Sequence, residues 1–369
     1  MRISASFAVM SSLIAGMVVT LIALEAVLRL LPVQNGLFAA DSGSGWPVHH
    51  LVAHNHYTFS DAWDLRNVHR GVTNGMGYVA PFEYDADTES VVVVGDSFVE
   101  GVTNEYGDTL QGQLTARLLP SLPVLNFGTS GASLSDYIGL GPMVSSRFHI
   151  RWVVILVVAG DFTDAFTPQP GFFVWSSDRT PPVRLIPATV MDAAPKFLRT
   201  LALVRYTRGN LRFSLNHLLH TSVTGPATRC APQELQSGDS RLIESYADSL
   251  PATYGVSASH VILIFDADRQ ELYRSNGASA SEACPTRDGL ARELLARAAN
   301  ARGEHVIDMA PIFAAYFRAT RQRVDYSPID WHWNVVGNRL AASAVARLLN
   351  DASLEQSQDH SLRRSEVIE

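Results

Sequence analysis

The stretch VVVVGDSFVEG, residues 91–101, places four valines directly before Gly95, Asp96 and Ser97. A run of β-branched residues predicts a strand that is buried on both faces, as in a parallel sheet. A glycine turn and a helix start would then follow, and open α/β folds bind ligands at this carboxyl edge of the strands. Because Asp and Ser are also favoured N-cap residues, the triplet is either a helix cap or the site of a reactive serine.

Apolar strands alternate with helical patterns through the rest of the chain. The predicted strands are Val91–Val94, Val124–Asn126, Trp152–Val158, Val261–Phe265 and His305–Asp308. The predicted helices cover residues 108–119, with Asp108 as a cap, and residues 240–250, 288–301 and 334–350. This alternation predicts an α/β fold, a three-layer flavodoxin-like sheet of about five parallel strands with helices on both faces.

Composition divides the chain into segments. Residues 1–32 are predicted to be a membrane anchor or uncleaved signal, and residues 33–60, without clear periodicity, a linker. The α/β domain is expected over residues 61–350. Because the third and fourth strands are separated by far more than a usual crossover, an insertion is expected at about 162–258. The polar segment 351–369 is predicted to be a disordered tail.

The N-terminal segment Phe7–Leu24 carries no charge, and Glu25 and Arg29 follow it at helical i,i+4 spacing. It is long enough to span a bilayer, so a single N-terminal transmembrane helix is expected. A cleaved signal peptide is the alternative, although residues 37–40 lack the small-x-small pattern of a cleavage site, and a buried core helix is a third. The charges on either side of the segment indicate its orientation only weakly.

Composition limits the partners. The chain has 369 residues, 47% of them hydrophobic, which is enough to bury a full core. Its formal net charge is -7, Lys196 is its only lysine, and it has no basic tract. A surface that binds a nucleic-acid backbone is therefore not expected.

Metal and cofactor sites are also not expected. Cys230 and Cys284 are the only cysteines, and neither lies in a CxxC or Cys/His cluster that would hold zinc. Outside the cytoplasm these two could form a disulfide, or they stay unpaired. Asp266 and Asp268, in LIFDADRQ, suggest a Mg²⁺ or phosphate site, but no lysine follows them to offset phosphate charge.

A nucleophilic serine needs a base and a group that orients the base. In SPIDWHWNVVGN, residues 327–338, Asp330 lies two residues before His332, and Asn334 is placed to cap the last helix. Residues i and i+2 of a loop can point the same way, so this segment can present both groups to Ser97. Capping and turn formation are the alternative role of the same residues.

The turn NFGTSGAS, residues 126–133, opens a strand end into Gly128 and Gly131. Backbone N–H groups freed by such glycines can point at a developing oxyanion, although turns use glycine for other reasons as well. Ser130 in this turn is a second candidate nucleophile. It ranks behind Ser97 because GTSGA lacks the final glycine of the G-x-S-x-G elbow.

Four blocks, GDSF, NFGTSG, AGDFTD and DWHWN..G, together resemble in order the blocks of the SGNH (GDSL-like) hydrolases over about residues 67–348. The hydrophobic N-terminus and the Asp-x-His-Trp block look most like the membrane-anchored bacterial branch that includes alginate O-acetyltransferase-like proteins. The resemblance implies that Ser97 is the nucleophile, that His332 and Asp330 are its base and acid, and that the backbone N–H groups of Ser97 and Gly128 bind the oxyanion.

The third block departs from the family pattern. The family has an asparagine after a glycine there, and its amide donates to the oxyanion, whereas this strand ends in VVAGDFTD. Either Gly160 or Asp161 takes that position. An ionised Asp161 would repel an oxyanion, so it must turn away, be protonated, or be replaced in that role by a backbone N–H.

The resemblance implies a single-pass protein of the bacterial cytoplasmic membrane with an extracytoplasmic catalytic domain. The function expected first is a serine ester hydrolase acting on O-acyl, chiefly acetyl, esters of a carbohydrate or small molecule. An O-acyltransferase modifying a cell-envelope or exported polysaccharide shares the acyl-enzyme chemistry and is the alternative. A catalytically weak carbohydrate-binding pseudoenzyme is a third, suggested by the missing asparagine. The sequence predicts neither the acyl group nor the oligomeric state.

Overall fold

The computed structural model describes residues 2–40, 48–118, 122–179, 181–187, 196–211, 234–236, 238–276 and 286–366. Cys230 and Cys284 lie outside these residues, so their pairing stays a prediction.

Within the described residues, nine strands form one central sheet and two hairpins. They are β1 (His56–Asp61), β2 (Arg66–Val72), β3 (Ser90–Gly95), β4 (Val124–Gly128), β5 (Ile150–Val157), β6 (Phe173–Trp175), β7 (Val183–Leu185), β8 (Val261–Phe265) and β9 (His305–Asp308). The central sheet is parallel throughout, in the order β4-β3-β5-β8-β9. Numbered by chain order within the sheet, this is the 2-1-3-4-5 order of flavodoxin-like folds. The predicted fold class is confirmed.

Helices cover both faces of the sheet. The longer ones are Arg2–Leu30, Leu134–Ser145, Asp239–Tyr254, Arg287–Ala301, Met309–Thr320 and Val335–Glu366, and the shorter ones are Ser97–Glu100, Leu110–Thr115, Asp161–Asp164, Lys196–Thr200, Ala202–Arg205 and Arg269–Arg274. One face carries Leu134–Ser145, Asp239–Tyr254 and Arg287–Ala301. The other carries Leu110–Thr115, Met309–Thr320 and Val335–Glu366. The molecule therefore has three layers, with its core on both sides of the sheet.

The valine run forms the middle of this core. Val92 and Val94 pack into the cluster on one face of the sheet, and Val91 and Val93 into the cluster on the other. All four side chains are at most 1% exposed. Because successive residues of a strand point to opposite faces, only a strand between two helical layers buries a continuous apolar run.

The segment predicted to be a linker, residues 33–60, differs from that expectation. Its last residues belong to β1, which starts at His56 and pairs antiparallel with β2. Leu51 and Tyr57 are buried in a small cluster of their own, and Val33 packs next to the N-terminal helix. This packing depends on contacts with later residues, β2, Val79 and Val102, which periodicity within the segment does not indicate.

Two helix boundaries also differ from the sequence-based predictions. The helix predicted to begin at Asp108 begins at Leu110, and Thr109 caps it by accepting from the Gly112 N–H at 3.2 Å. The last helix continues to Glu366, through most of the segment predicted to be a disordered tail.

The aromatic stretch of the insertion packs onto the body of the domain. The backbone N–H of Phe173 donates to Asp136 of the helix Leu134–Ser145 at 2.6 Å, and Trp175 is 8% exposed. This packing holds the hairpin β6–β7 over the sheet. The helix Asp239–Tyr254, which falls inside the predicted insertion, is the crossover that leads to β8.

The N-terminal helix stands apart from this core. Its segment Phe7–Leu30 has a mean hydropathy of 2.3, and its residues are exposed apart from Glu25 and Leu28 near the end of the helix. By length and composition it can cross a membrane, and a signal sequence meets the same criteria. A core helix would be buried, whereas residues Phe7–Leu24 are all exposed.

Gly128 is predicted to be essential for the packing of the helix Ser97–Glu100. A Cβ at this position would lie 2.1 Å from the Glu100 backbone N. Gly128→Ala should therefore destabilise the fold by about 1–3 kcal/mol through overpacking, measured by urea unfolding. Gly107→Ala is the control, because a Cβ there meets nothing within 4 Å. Equal stability of the two variants would contradict this account of the packing.

Candidate active site

Ser97 lies at the carboxyl edge of the sheet, as the first residue of the helix that follows β3. β3 is the first strand of the sheet in chain order and pairs with both β4 and β5. The strand order reverses beside β3, and such a switch point leaves a crevice where open α/β sheets bind ligands. Topology alone therefore places this serine at the expected binding edge.

Two glycines let the short helix lie directly on the strand ends. A Cβ at Gly95 would be 2.4 Å from a methyl of Val99, and the corresponding position at Gly128 meets the backbone of the same helix. Asp96 caps the helix, since its carboxylate accepts from the Phe98 N–H at 2.9 Å. The cap is therefore Asp96, and the Ser97 hydroxyl, which lies 3.4 Å from Asp96 Oδ2, has a closer partner.

That partner is His332. Its Nε2 lies 2.8 Å from the Ser97 Oγ, and its Nδ1 lies 2.5 Å from Asp330 Oδ1. The same carboxylate oxygen accepts from the backbone N–H of His332 at 2.7 Å, and Asp330 is only 3% exposed. The three residues predicted from the sequence thus lie in one hydrogen-bonded chain, in the order serine, imidazole, carboxylate.

Asn334 holds the histidine loop against the last helix. Its Oδ1 accepts from the Val336 N–H at 2.8 Å, and its Nδ2 donates to the Asp325 carbonyl at 3.0 Å. The predicted capping role of Asn334 is confirmed. One end of the loop is therefore set by the start of a long helix.

Asn104 ties the other side of the loop to the serine segment. Its Nδ2 donates to the Trp333 carbonyl at 2.9 Å, and its Oδ1 accepts from the Tyr326 hydroxyl at 2.8 Å. Sequence reasoning missed this residue, because nothing in its local pattern distinguishes it from an ordinary turn asparagine. Its two bonds join segments more than 200 residues apart in the chain.

Asp266, considered above for a metal site, is instead bonded to the histidine loop. It accepts from the Trp333 Nε1–H at 2.8 Å and forms an ion pair with Arg269 at 2.6 Å. The Arg269 guanidinium also lies 3.1 Å from Asp325 and 5.1 Å from the Phe98 ring centre. Among the described residues, no group of three or more His, Cys, Asp or Glu side chains is arranged to hold a metal.

Two opposing effects set the pKa of His332. Burial lowers it, but the hydrogen bond and charge of Asp330, with the charge of Asp96, outweigh burial and leave the pKa above its ordinary value. Burial also raises the pKa of Asp96 to about 6. A histidine held this way is a stronger base than one in water.

Asp161, at the third-block position, is turned into the protein. Its carboxyl bonds to the Val158 N–H at 2.8 Å and the Tyr137 hydroxyl at 3.0 Å, and it is 3% exposed. Burial, reinforced by the charge of Asp96, raises the pKa of Asp161 well above its usual range. Burial therefore disfavours the charged form of Asp161, the form that would repel an oxyanion.

The backbone N–H of Gly128 is already engaged in this structure, donating to Asn126 Oδ1 at 2.8 Å. Its predicted part in binding an oxyanion therefore competes with that bond. The N–H groups of Ser97, Gly131 and Gly160 have no acceptor within the described part of the chain. Gly131 and Gly160 both have positive φ, +85° and +99°, in the turns that follow the strands on either side of β3.

The second candidate nucleophile has a different partner. The hydroxyl of Ser130 donates to the carboxylate of Glu100, and no ring nitrogen of a described histidine bonds it. Burial raises the pKa of Glu100, and the bond to Ser130 only partly offsets this. This pairing lacks the base and orienting acid that Ser97 has.

A cleft of about 740 Å³ lies at the ends of β5 and β8, and its lining includes Phe98 and Trp331, the chain neighbours of Ser97 and His332. Its wall includes the aromatic side chains of Phe98 and Trp331, the second of which is 45% exposed. Polar and charged groups complete the lining, among them Asp268, Arg269, Gln270, Asp288 and Arg292. The cleft combines apolar rings with hydrogen-bonding groups.

No family model matches this sequence, and no curated protein matches it.

Among solved structures, the chain is similar to a two-domain esterase active on acetylated mannans, at 13% identity and a TM-score of 0.37, covering 71% of this chain. The chain spans 50% of the length of that esterase. An α/β hydrolase from the metagenome of Lake Arreo, Spain, matches at 14% identity and a TM-score of 0.39, covering 72% of this chain and 96% of that one. A carbohydrate acetylesterase from Sinorhizobium meliloti matches at 11% identity and a TM-score of 0.34, covering 72% and 100%. Likenesses of this size carry no argument about the reaction.

The geometry predicts a pH dependence of ester hydrolysis. His332 must be neutral to accept a proton, so activity should rise with pH through a midpoint above about 6.5, the ordinary histidine value. Asp330→Asn removes the group that raises this pKa and favours the wrong tautomer, so the midpoint should fall and kcat should drop by about 10⁴-fold. Asp87→Asn, on the exposed surface, is the control for the kinetic titration. An unchanged midpoint in Asp330→Asn would contradict the assignment.

Proposed function

We propose that this protein is a serine ester hydrolase that removes acyl groups, chiefly acetyl, from hydroxyls of a carbohydrate or small molecule. The observation that carries the proposal is the hydrogen-bonded chain from Ser97 through His332 to Asp330 at the edge of a parallel sheet. Helix capping does not explain Ser97, because Asp96 already caps the helix, and a turn does not need a serine bonded to a histidine and an acid.

The arrangement performs acyl transfer in two steps. The Ser97 Oγ attacks the ester carbonyl while His332 Nε2 takes its proton, and Asp330 stabilises the imidazolium that forms. The C–O bond to the leaving alcohol then breaks, and His332 returns the proton to that oxygen. Water attacks the acyl-serine by the same route, which releases the acid and restores Ser97.

Backbone N–H groups supply the oxyanion site in this proposal. The Ser97 N–H points from the start of its helix, and the free N–H groups of Gly131 and Gly160 lie in the turns on either side. They take the place of the missing asparagine amide and of Gly128, whose N–H is bonded to Asn126. Burial of Asp161 disfavours the charged form that would repel an oxyanion here.

The cleft supports a carbohydrate substrate. Exposed aromatic rings such as Trp331 offer an apolar face to a sugar ring, and the surrounding carboxylates and Gln270 offer partners for hydroxyls. The same cleft has room for a second sugar, which would accept the acyl group in place of water. O-acyl transfer therefore remains the alternative function, distinguished by adding an acceptor to the assay.

Ser97→Ala is expected to abolish hydrolysis of a chromogenic acetyl ester, with a loss of about 10⁵–10⁶-fold in kcat. Stability should change by less than about 0.5 kcal/mol, because the substitution removes a partly exposed hydroxyl that caps nothing. Ser130→Ala tests the rival nucleophile and should retain turnover. Full activity in folded Ser97→Ala would overturn the proposed function. Absence of activity in the wild type would favour the third function, a carbohydrate-binding pseudoenzyme.

We also propose that the catalytic domain is extracytoplasmic and tethered by the helix Phe7–Leu30. The support is the length and apolarity of this helix and the exposure of its residues Phe7–Leu24. In spheroplasts, added protease should digest the domain, while a cytoplasmic marker stays intact. Protection of the domain until the membrane is lysed would contradict this topology, and a shorter mature chain by mass would indicate a cleaved signal.

A further inference from the structure

The folded domain is attached to the N-terminal helix within the last turns of that helix. The carboxylate of Glu25 accepts from the backbone N–H groups of Ala202 and Leu203, each at 2.9 Å. Leu28 and Val33 are buried in a small cluster with Ala202. The insertion segment is therefore fixed to the helix itself, several residues before the helix ends.

This attachment fixes the level of the domain relative to the bilayer. The candidate span of 24 residues is about 36 Å long at 1.5 Å per residue, against about 30 Å of hydrocarbon in a bilayer. The uncharged stretch ends at Leu24, so Glu25 and the last turn of the helix belong at the level of the lipid headgroups. The helix Ala202–Arg205, bonded to Glu25, must then lie at the same level.

A tryptophan is exposed at this level. The hairpin β1–β2 turns at residues 62–65, where Leu65 packs against the cluster at the helix end and the Tyr206 hydroxyl donates to the Trp63 carbonyl at 2.6 Å. The Trp63 side chain is 70% exposed. Trp at a membrane interface places an apolar ring and an N–H donor at the boundary between hydrocarbon and water.

Arginines accompany the tryptophan. Glu25 is paired with Arg29, and Asp64 with Arg66, whereas Arg208 is exposed and has no ion-pair partner among the described residues. Arg205 is half-buried, and its buried Nε has no hydrogen-bond partner in the described part of the chain. Guanidinium groups at this height are suited to lipid phosphates.

We propose that the hairpin tip at residues 62–65 and the segment Ala202–Leu211 form a face that lies on the phospholipid headgroups around the end of the anchor. Leu211 and Leu31, both exposed, extend the apolar part of this face. The inference rests on the anchor proposed above and goes beyond the ester hydrolysis.

The face would fix the orientation of the active site relative to the membrane. Asn67 of β2 donates to the Thr103 carbonyl at 3.0 Å, and the adjacent Asn104 bonds the histidine loop. A continuous set of contacts thus joins the hairpin to His332. The catalytic edge is held at a set height above the bilayer rather than at the end of a flexible tether.

The test uses the full chain in phosphatidylcholine nanodiscs, with and without lipids brominated near the top of the acyl chains. Bromine quenches only tryptophans near it. The wild type should lose fluorescence with brominated lipid, Trp63→Phe should lose none or much less, and Trp331→Phe, at the catalytic edge, should behave as the wild type. Quenching that is absent in the wild type, or equal in the wild type and Trp63→Phe, would overturn the inference.

Two controls separate this inference from the proposals on which it rests. Co-elution of the chain with nanodiscs reports whether the helix is embedded, independently of Trp63. Acetyl-ester hydrolysis in the same nanodiscs reports the proposed function, and the quenching does not depend on it. Arg208→Gln combined with Arg205→Gln should reduce the quenching of Trp63 if the guanidinium groups hold the face down, and unchanged quenching would exclude their part in it.

Discussion

The close packing of the helix Ser97–Glu100 against the ends of β3 and β4 is the constraint on which the site depends. It requires glycine at positions 95 and 128, because a Cβ at either would overlap the helix. With the helix in that place, the serine hydroxyl emerges at the switch point of the sheet. Asn104 follows the helix within a few residues and reaches across to the loop that carries His332. Nucleophile and base are therefore positioned by one short segment.

Buried acids surround this segment, and their state decides what chemistry it can support. Asp330 and Asp266 each have a cationic or cation-forming partner, His332 and Arg269. Asp161 has only neutral donors, and burial raises its pKa, so its charged form is disfavoured. The site thus keeps the charge of Asp330, which stabilises an imidazolium, and disfavours the charge of Asp161 in the turn after β5. A sequence rich in carboxylates here is compatible with ester hydrolysis for this reason.

How much the sequence could predict follows from the range of each interaction. The valine run, the alternation of strands and helices, and the spacing of Asp330 and His332 are local patterns, and they indicated the sheet and the residues that meet at its edge. Asn104 and the hairpin β1–β2 were not predicted, because their roles depend on tertiary contacts. Asn104 bonds Trp333, and the hairpin tip bonds Tyr206. The bond between the Gly128 N–H and Asn126, and the burial of Asp161, likewise appear only in three dimensions.

The claim that Ser97 is an activated nucleophile is tested most directly by a fluorophosphonate probe, whose phosphorus a serine oxygen attacks with loss of fluoride. Mass spectrometry of the intact, folded chain should show one adduct, and peptide mapping should place it on Ser97. His332→Ala should slow the labelling strongly, because the base that takes the serine proton is gone. An adduct on Ser130 or another serine, or no adduct on protein with a normal unfolding transition, would contradict the account.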